Sequence, residues 1–551
     1  MRGEIEDGFR LLTKEVLQAA HEARDLLAVR DPAKSLALGH RVSYITTQVA
    51  LLQKLAMDMT VRKPAGHRES LRLQGVSSVA SRLERISDML LNLDRQASYL
   101  SSLDVLAPYQ LKDFFQDIFH GLDKIHPALQ KRDVGLAVAL GQVEERLDAL
   151  YAQRFARLIA DFRTEAAPED LVTAIMIVHY LERIGDMILE IGEKIIYIIM
   201  GEKIKLEQYK ALGEGLRAAG APMEPARLDF RSIWGGRSGC RIGVVGNLDG
   251  GGPADQTVLF KHGPVTKLAS ERGNLALWSE LRPGLTPQVR AFIPAQAGAE
   301  AALMMEFIPS RTLQALFLEN APEAAVEGLR LAFEIMCGVW RETRSANGAP
   351  SDFCRQAETR LPEAAVLYPR LLNGSGALGD WSLKPAAVML EAAKLQERNL
   401  TPPFKMRVHG DWNLSNLLYD PTRKRVTFVD LYRSRETDYV QDISVMLLSI
   451  IRLPVLEAPP RRRLTQAAKG TAALARLFAQ ELDDAEYEAR LAFGLARSFV
   501  TSTRFVLEER LAEQFVARAR YLWGRLIEHG QAGRPWPEFT FSLDVLDVAV
   551  E

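Results

Sequence analysis

The sequence predicts a multidomain protein: an all-α bundle of two three-helix repeats, followed by an α+β domain with a small β-rich lobe and a larger helical lobe. Three observations predict this. Residues 1 to about 210 contain few prolines and carry apolar residues at spacings of three and four, as in Leu11/Leu12, Val16 and Ala19/Ala20. Within that stretch Leu83-Glu84-Arg85-Ile86-Ser87-Asp88-Met89 returns as Leu181-Glu182-Arg183-Ile184-Gly185-Asp186-Met187, about 98 residues later, with six of seven positions identical. Beyond a Gly/Ala/Pro-rich stretch the pattern turns strand-like and then helical again. A chain of 551 residues is also too long for one ordinary core.

Taken in order, six helices fit residues 1–210. Breaks fall near Asp31-Pro32, Lys63-Pro64-Ala65-Gly66, Leu106-Ala107-Pro108, between His126-Pro127 and Asp133, and at Ala166-Ala167-Pro168. Residues 211–228 read as a linker. Residues 229–312 read as the β-rich lobe, with strands at Arg241–Val245, Thr257–Lys261 and Ala301–Ile308. Residues 313–551 read as the helical lobe.

Composition excludes several classes. Lys+Arg 69 against Asp+Glu 70 predicts neither a nucleic-acid nor a membrane-surface partner. Three widely spaced cysteines, Cys240, Cys337 and Cys354, form no metal pair or disulfide framework, which fits a reducing compartment. The acidic start Met1–Asp7 has no apolar signal core, and the run Ile195–Met200 is far too short to span a bilayer. A cytoplasmic protein is expected.

The chemistry lies in Val408-His409-Gly410-Asp411-Trp412-Asn413-Leu414-Ser415-Asn416, followed by Asp430 at the end of Val426-Thr427-Phe428-Val429. Phosphoryl transfer needs one carboxylate against the attacking hydroxyl, and an amide oxygen and a second carboxylate to hold Mg²⁺ on the nucleotide phosphates. Asp411 suits the base; Asn416 and Asp430 suit the metal ligands.

On these residues, positions 230–551 resemble the aminoglycoside phosphotransferase and choline-kinase family, small-molecule kinases with the protein-kinase fold. The resemblance implies ATP and Mg²⁺ as cofactors, a nucleotide and a small-molecule alcohol as substrates, and several further roles. Asp442 would brace the catalytic loop, with His409 as structural support. Gly235, Gly236, Ser238 and Gly239 would form the glycine-rich turn over the nucleotide. Lys261 would meet the α/β-phosphates, with Lys267 close by, and Glu271 would be its helix partner, with Glu280 as the alternative. Glu306 would begin the adenine hinge. Gly410 stands where protein kinases carry Arg, and Asp430 is followed by Leu431-Tyr432 instead of Phe-Gly; both favour a small-molecule acceptor. An aminoglycoside acceptor would want an acidic pocket.

In the helical half, Glu182, Asp186 and Glu193 fall within about 40° of one another on one helix, opposite an isoleucine face. Like charges at such spacing destabilise a helix by about 0.2–0.5 kcal/mol unless a cation bridges them. Residues 1 to about 205 resemble PhoU-type phosphate-signalling proteins through Tyr180–Asp186, its continuation Ile191–Tyr197, and the repeat partner Leu83–Asp88. That resemblance implies metal ligands at Glu182, Asp186 and Glu193 and at Glu84 and Asp88, with Fe, Mn or Zn as the metal and a phosphate-signalling protein as partner; a homodimer is left open. Arg95 replaces Glu193 in the first repeat. Glu144, Glu145 and Asp148 can add carboxylates in the second, where the first has Thr46, Thr47 and Ala50. The second repeat should bind metal better. The alternative to an active kinase is a non-catalytic, nucleotide-sensing regulator of phosphate homeostasis, which would require a missing catalytic group; none is missing.

Overall fold

The computed structural model describes residues 2–62, 67–163, 168–202, 204–220, 229–232, 240–246, 257–294, 299–319, 321–346, 348, 350–378, 381–455, 457–506 and 508–547. The chain divides into two compact units. One is Met1–His262 with Ile293–Gln296; the other is Gly263–Phe292 with Ala297–Glu551. The stretch expected as the β-rich lobe contributes to both.

The first unit opens with α1 (Arg2–Ala28), α2 (Pro32–Arg62) and α3 (His67–Ala97), then repeats with α4 (Lys112–Lys131), α5 (Val134–Asp161) and α6 (Pro168–Met200). The apolar spacing explains the packing: Leu12, Val16, Ala19 and Ala23 of α1 and Ile184, Ile188, Ile191 and Ile195 of α6 are buried. Pro127 lies inside α4, and the break comes at Arg132, whose backbone is left-handed (φ 53°), before Asp133 caps α5 by accepting the Leu136 N–H at 3.0 Å. The ion pair Arg82–Glu190, 2.7 Å, joins the two repeats.

Helix α7 (Leu206–Ala218) corrects the expected linker boundary: the Gly/Ala texture from 212 starts inside a helix, because Leu206, Leu212 and Leu216 share a buried face. Residues 221–228 lie outside the described residues. Strands β1 (Asp229–Ser232), β2 (Arg241–Gly246) and β3 (Val258–Pro264) pair antiparallel in that order. β1 had no signal in the sequence, being four residues long.

The chain continues with α8 (Val265–Leu281), β4 (Val289–Pro294), whose end belongs to the first unit, β5 (Glu300–Glu306), β6 (Arg311–Thr312), α9 (Leu313–Leu318), α10 (Pro322–Glu342), α11 (Phe353–Leu367) and α12 (Pro369–Asn373). Next come β7 (Gly376–Leu378), β8 (Trp381–Leu383), α13 (Ala386–Glu397), β9 (Met406–Val408), β10 (Leu417–Asp420), β11 (Arg425–Phe428) and β12 (Arg435–Thr437). The helices α14 (Val440–Ile451), α15 (Ala458–Glu481), α16 (Tyr487–Ser502) and α17 (Glu509–Gln531) complete the helical core. Trp340, Trp412, Tyr439 and Phe478 form its aromatic centre, with Trp340 and Trp412 centroids 5.8 Å apart. Among the described residues no helix is long and apolar enough to cross a membrane.

Candidate active site

The loop His409–Asn416, expected to be catalytic, lies between β9 and β10 and is anchored from both sides. Behind it, the buried Asp442 in the first turn of α14 accepts the N–H of His409 at 2.7 Å and that of Gly410 at 2.8 Å. Burial pushes the Asp442 carboxyl up to about 7, and the two amide donors pull it down. Gly410 adopts φ 84°, and a Cβ there would lie 2.3 Å from the Arg433 carbonyl oxygen, so glycine is required on both counts. His409 is fully buried against Trp278 and Phe428, and burial lowers its ring to about 4, keeping it neutral. Its Nδ1 faces the Asp411 N–H at 3.4 Å. Trp412 drives into the aromatic centre, fixing the loop between two buried flanks.

Asp411 is half-buried. The Asn413 Nδ2 donates to its Oδ1 at 3.1 Å, and Arg433 Nη1 approaches its Oδ2 at 3.3 Å. Asn413 in turn accepts from the Ser415 N–H at 2.9 Å. Asn416 donates its Nδ2 to the Asp411 carbonyl at 2.9 Å, which leaves its Oδ1 as the acceptor.

The antiparallel β10–β11 ladder pairs Leu417 with Phe428, and the Val429 N–H donates to the Asn416 carbonyl at 3.0 Å. Register alone therefore brings Asn416 and Asp430 to the same end of one hairpin. Asp430 sits in the left-handed region (φ 63°), where Asp is among the tolerated residues, and opens the short turn Leu431–Arg433. That turn is held by α8: Asn274 Nδ2 donates to the Leu431 carbonyl at 2.8 Å, Ser270 Oγ to that of Tyr432 at 3.0 Å, and Trp278 Nε1 to Ser434 Oγ at 2.7 Å. An amide oxygen and a carboxylate are hard oxygen donors and fit Mg²⁺.

Of the residues that the resemblance assigns to the nucleotide, Lys261 is buried on β3, whereas its neighbour in sequence Lys267 lies over the Tyr432 ring at 4.1 Å. Glu271 is buried on α8 and Glu280 is exposed. Glu306 ends β5, its N–H bonded to the Gln288 carbonyl at 2.8 Å. Gly235, Gly236, Ser238 and Gly239 lie outside the described residues.

In the helical unit Glu144, Asp148 and Asp186 offer carboxylate oxygens within 4.8 Å of one another. Burial, then Asp148 and Asp186, push Glu144 up to about 7; Glu182 and Asp186 are raised mainly by burial. Glu182 also faces His179 at 3.2 Å, and Arg183 holds Asp186 at 2.6 Å. Glu193 accepts the Leu206 N–H at 3.3 Å at the start of α7 instead of joining the cluster. Asp88 is exposed and Glu84 half-buried, and neither belongs to a comparable cluster among the described residues.

Residues 258–477 match the family model described as phosphotransferase enzyme family, and residues 115–195 match the PhoU domain. No curated protein matches the chain by sequence. Among solved structures, PhoU from Pseudomonas aeruginosa is 16% identical over 36% of this chain and 97% of its own, with a TM-score of 0.34. The phosphate transport system regulatory protein PhoU from Streptococcus pneumoniae is 21% identical over 37% of this chain and 97% of its own, with a TM-score of 0.35. Aminoglycoside phosphotransferase APH(3'')-Id from Streptomyces rimosus is 18% identical over 53% and 96%, with a TM-score of 0.33. Asp411 lies within the residues that match the phosphotransferase model, and these follow the residues that match the PhoU domain in the same chain.

Proposed function

We propose that this protein transfers the γ-phosphoryl group of ATP to a hydroxyl of a small molecule, with Mg²⁺ held by Asn416 and Asp430. The observation that supports this best is the state of Asp411: a carboxylate fixed by Asn413 and Arg433 at the wall of a cavity of about 570 Å³. Asp411 accepts the hydroxyl proton as the acceptor oxygen bonds to the γ-phosphorus. The bond from that phosphorus to the β-phosphate oxygen breaks, and ADP leaves with the electron pair. Mg²⁺ supplies charge neutralisation on the phosphates when bound. Asp442 and Gly410 keep the loop in register, and Trp412 prevents its retreat. Lys261, Glu271 and Glu306 are assigned to the nucleotide by resemblance, residue by residue.

The helical domain is proposed as a regulatory or docking module that binds a transition metal through Asp186 with Glu144 and Asp148, Glu182 standing beside them. A link to phosphate signalling rests on the PhoU match alone.

Turnover and isothermal titration on two variants test the reading. Asp411→Asn should leave nucleotide binding nearly intact and reduce phosphotransfer by at least about a hundredfold. Asp430→Ala should weaken Mg·ATP binding, because Asp430 would hold the metal that neutralises the phosphate charge. Equal and mild effects on both would sink the assignment.

A further inference from the structure

The cavity beside Asp411 has an unbalanced wall. Six arginines line it: Arg360 from α11, Arg433 and Arg435 around the start of β12, Arg452 at the end of α14, Arg497 from α16, and Arg504 just beyond it. Asp411 is the one carboxylate among the described lining residues. The whole chain has a formal net charge of −1, so this concentration is local and not a reflection of a basic protein.

Carboxylates among the described residues offset part of it. Arg360 and Arg504 share a single Glu363, and Arg433 takes Asp411. Arg497 is 8% exposed and, among the described residues, hydrogen-bonds neutral groups, the Gln441 Oε1 at 3.2 Å and the Ser444 Oγ at 3.1 Å, while Asp411 and Asp442 act on it through space and not by a hydrogen bond. Among the described residues its Nε is buried without an acceptor, as are the Nε of Arg504 and the Oγ of Ser498, both also on the cavity wall. A buried guanidinium whose hydrogen bonds go to neutral groups, beside donors left without an acceptor, is an unfinished site. A ligand that brings oxyanion charge completes it, and the planar fork of Arg suits phosphate oxygens.

Neither Asn416 nor Asp430 lines this cavity. The arginines of α11, α14 and α16 therefore belong to the acceptor side and not to the metal-bound triphosphate. Thr359, Thr501 and Gln356 on the same wall supply neutral hydrogen-bonding groups for hydroxyls.

We propose that the acceptor is an anionic alcohol, a hydroxyl compound bearing a phosphate monoester. Its phosphate rests on Arg452, Arg497 and Arg504, and its free hydroxyl is presented to Asp411. This rests on the phosphotransferase reading and narrows it. The hydroxyl oxygen forms the new O–P bond, its proton passes to Asp411, the γ-to-β bridging P–O bond breaks, and the products are a doubly phosphorylated compound and ADP. A cationic amino sugar would set ammonium groups against the same arginines, with repulsion added to the loss of pairing.

The test uses the full chain. ADP release is measured with Mg·ATP and three matched sets: glycerol 3-phosphate, ribose 5-phosphate and glucose 6-phosphate; the parent alcohols and glycerate; and kanamycin. Melting curves with the same phosphate esters are recorded without nucleotide. Turnover with at least one phosphate ester, exceeding that with its parent alcohol and with kanamycin by at least about tenfold in kcat/KM, is expected, together with a rise in melting temperature. Arg497→Met should raise the acceptor KM more than it lowers kcat and should abolish the melting shift. Because Arg497 is buried, Arg452→Ala, at a half-buried position, provides the second variant with the same expectation. Preference for kanamycin or an uncharged alcohol would overturn the anionic acceptor and leave phosphotransfer standing. A preference for glycerate would overturn the phosphate assignment. Stabilisation by phosphate esters with no ADP release from any compound would support the seat and count against the phosphotransferase reading.

Discussion

At the scale of single residues, the loop carries two buried titratable groups whose effects on stability run in opposite directions. His409 sits at about 4, against an ordinary 6.5, because the ring is cut off from water. A depressed pKa adds stability that is present above 6.5 and is lost as the pH falls from 6.5 toward 4, where the unfolded chain binds the proton and the folded one does not. Asp442 sits at about 7, against an ordinary 3.8. A raised pKa adds stability that is present below 3.8 and is lost as the pH rises toward 7. His409→Gln should therefore make the acid limb of the melting curve shallower between pH 6.5 and 4, and Asp442→Asn should make it steeper. Melting temperatures of the three proteins across that window check both signs. Asp442→Asn also turns an amide N–H₂ toward one of two backbone donors, so activity should fall at every pH by at least about tenfold.

At the scale of elements, helix contact distance decides where carboxylates can meet. A Cβ at Gly192 would lie 2.7 Å from the Ala137 carbonyl oxygen and 3.2 Å from Leu140 Cβ, and one at Gly185 would lie 3.7 Å from Glu144 Cα. These glycines let α5 and α6 close, which places Glu144 and Asp148 against Asp186. The first repeat has Ser87 in the place of Gly185, its hydroxyl turned back to the Glu84 carbonyl at 2.7 Å. Gly192→Ala should destabilise the helical unit by about 1–3 kcal/mol, outweighing the roughly 1 kcal/mol that alanine contributes to helix propensity. Gly39→Ala, where a Cβ meets nothing within 4 Å, should instead stabilise it slightly. Thermal melts of both variants separate packing from propensity. The same elements show what the sequence made legible. The spacing from Asp411 to Asn416 and the run ending at Asp430 are local patterns, so both could be read directly, as could the helix repeat, whereas the hairpin that brings them to one end rests on the β10–β11 pairing. Arg433, Asn413 and Asn274 gave no signal, because their roles depend on tertiary contacts that no periodicity encodes. Arg497 and its companions were invisible for the same reason: five segments far apart in the chain converge on one cavity. Glu193 was placed on the acidic stripe by helical angle, and only the arrival of α7 shows its hydrogen bond to the Leu206 N–H.

At the scale of the whole molecule, the two compact units each have their own apolar core, so each should respond to its own ligand. Three carboxylates with oxygens within 4.8 Å repel one another when empty, and a divalent cation that binds them only in the folded state raises stability by mass action. Mn²⁺, Fe²⁺ or Zn²⁺ should shift the melting of the helical unit, whereas Mg·ADP should shift that of the unit holding Asp411. Replacing Glu182 and Asp186 with Ala should remove most of the metal shift, as should replacing Glu144 and Asp148; replacing Glu84 and Asp88 should remove less, because Asp88 is exposed and Arg95 supplies the local counter-charge. If no pair alters the metal response, the acidic stripe is a solvated face. If Glu84 and Asp88 dominate, the ranking of the two repeats is inverted. If Mn²⁺ moves the same transition as Mg·ADP and the nucleotide shift depends on Glu144 and Asp148, metal and nucleotide binding are coupled, and the size of that dependence measures their coupling free energy directly.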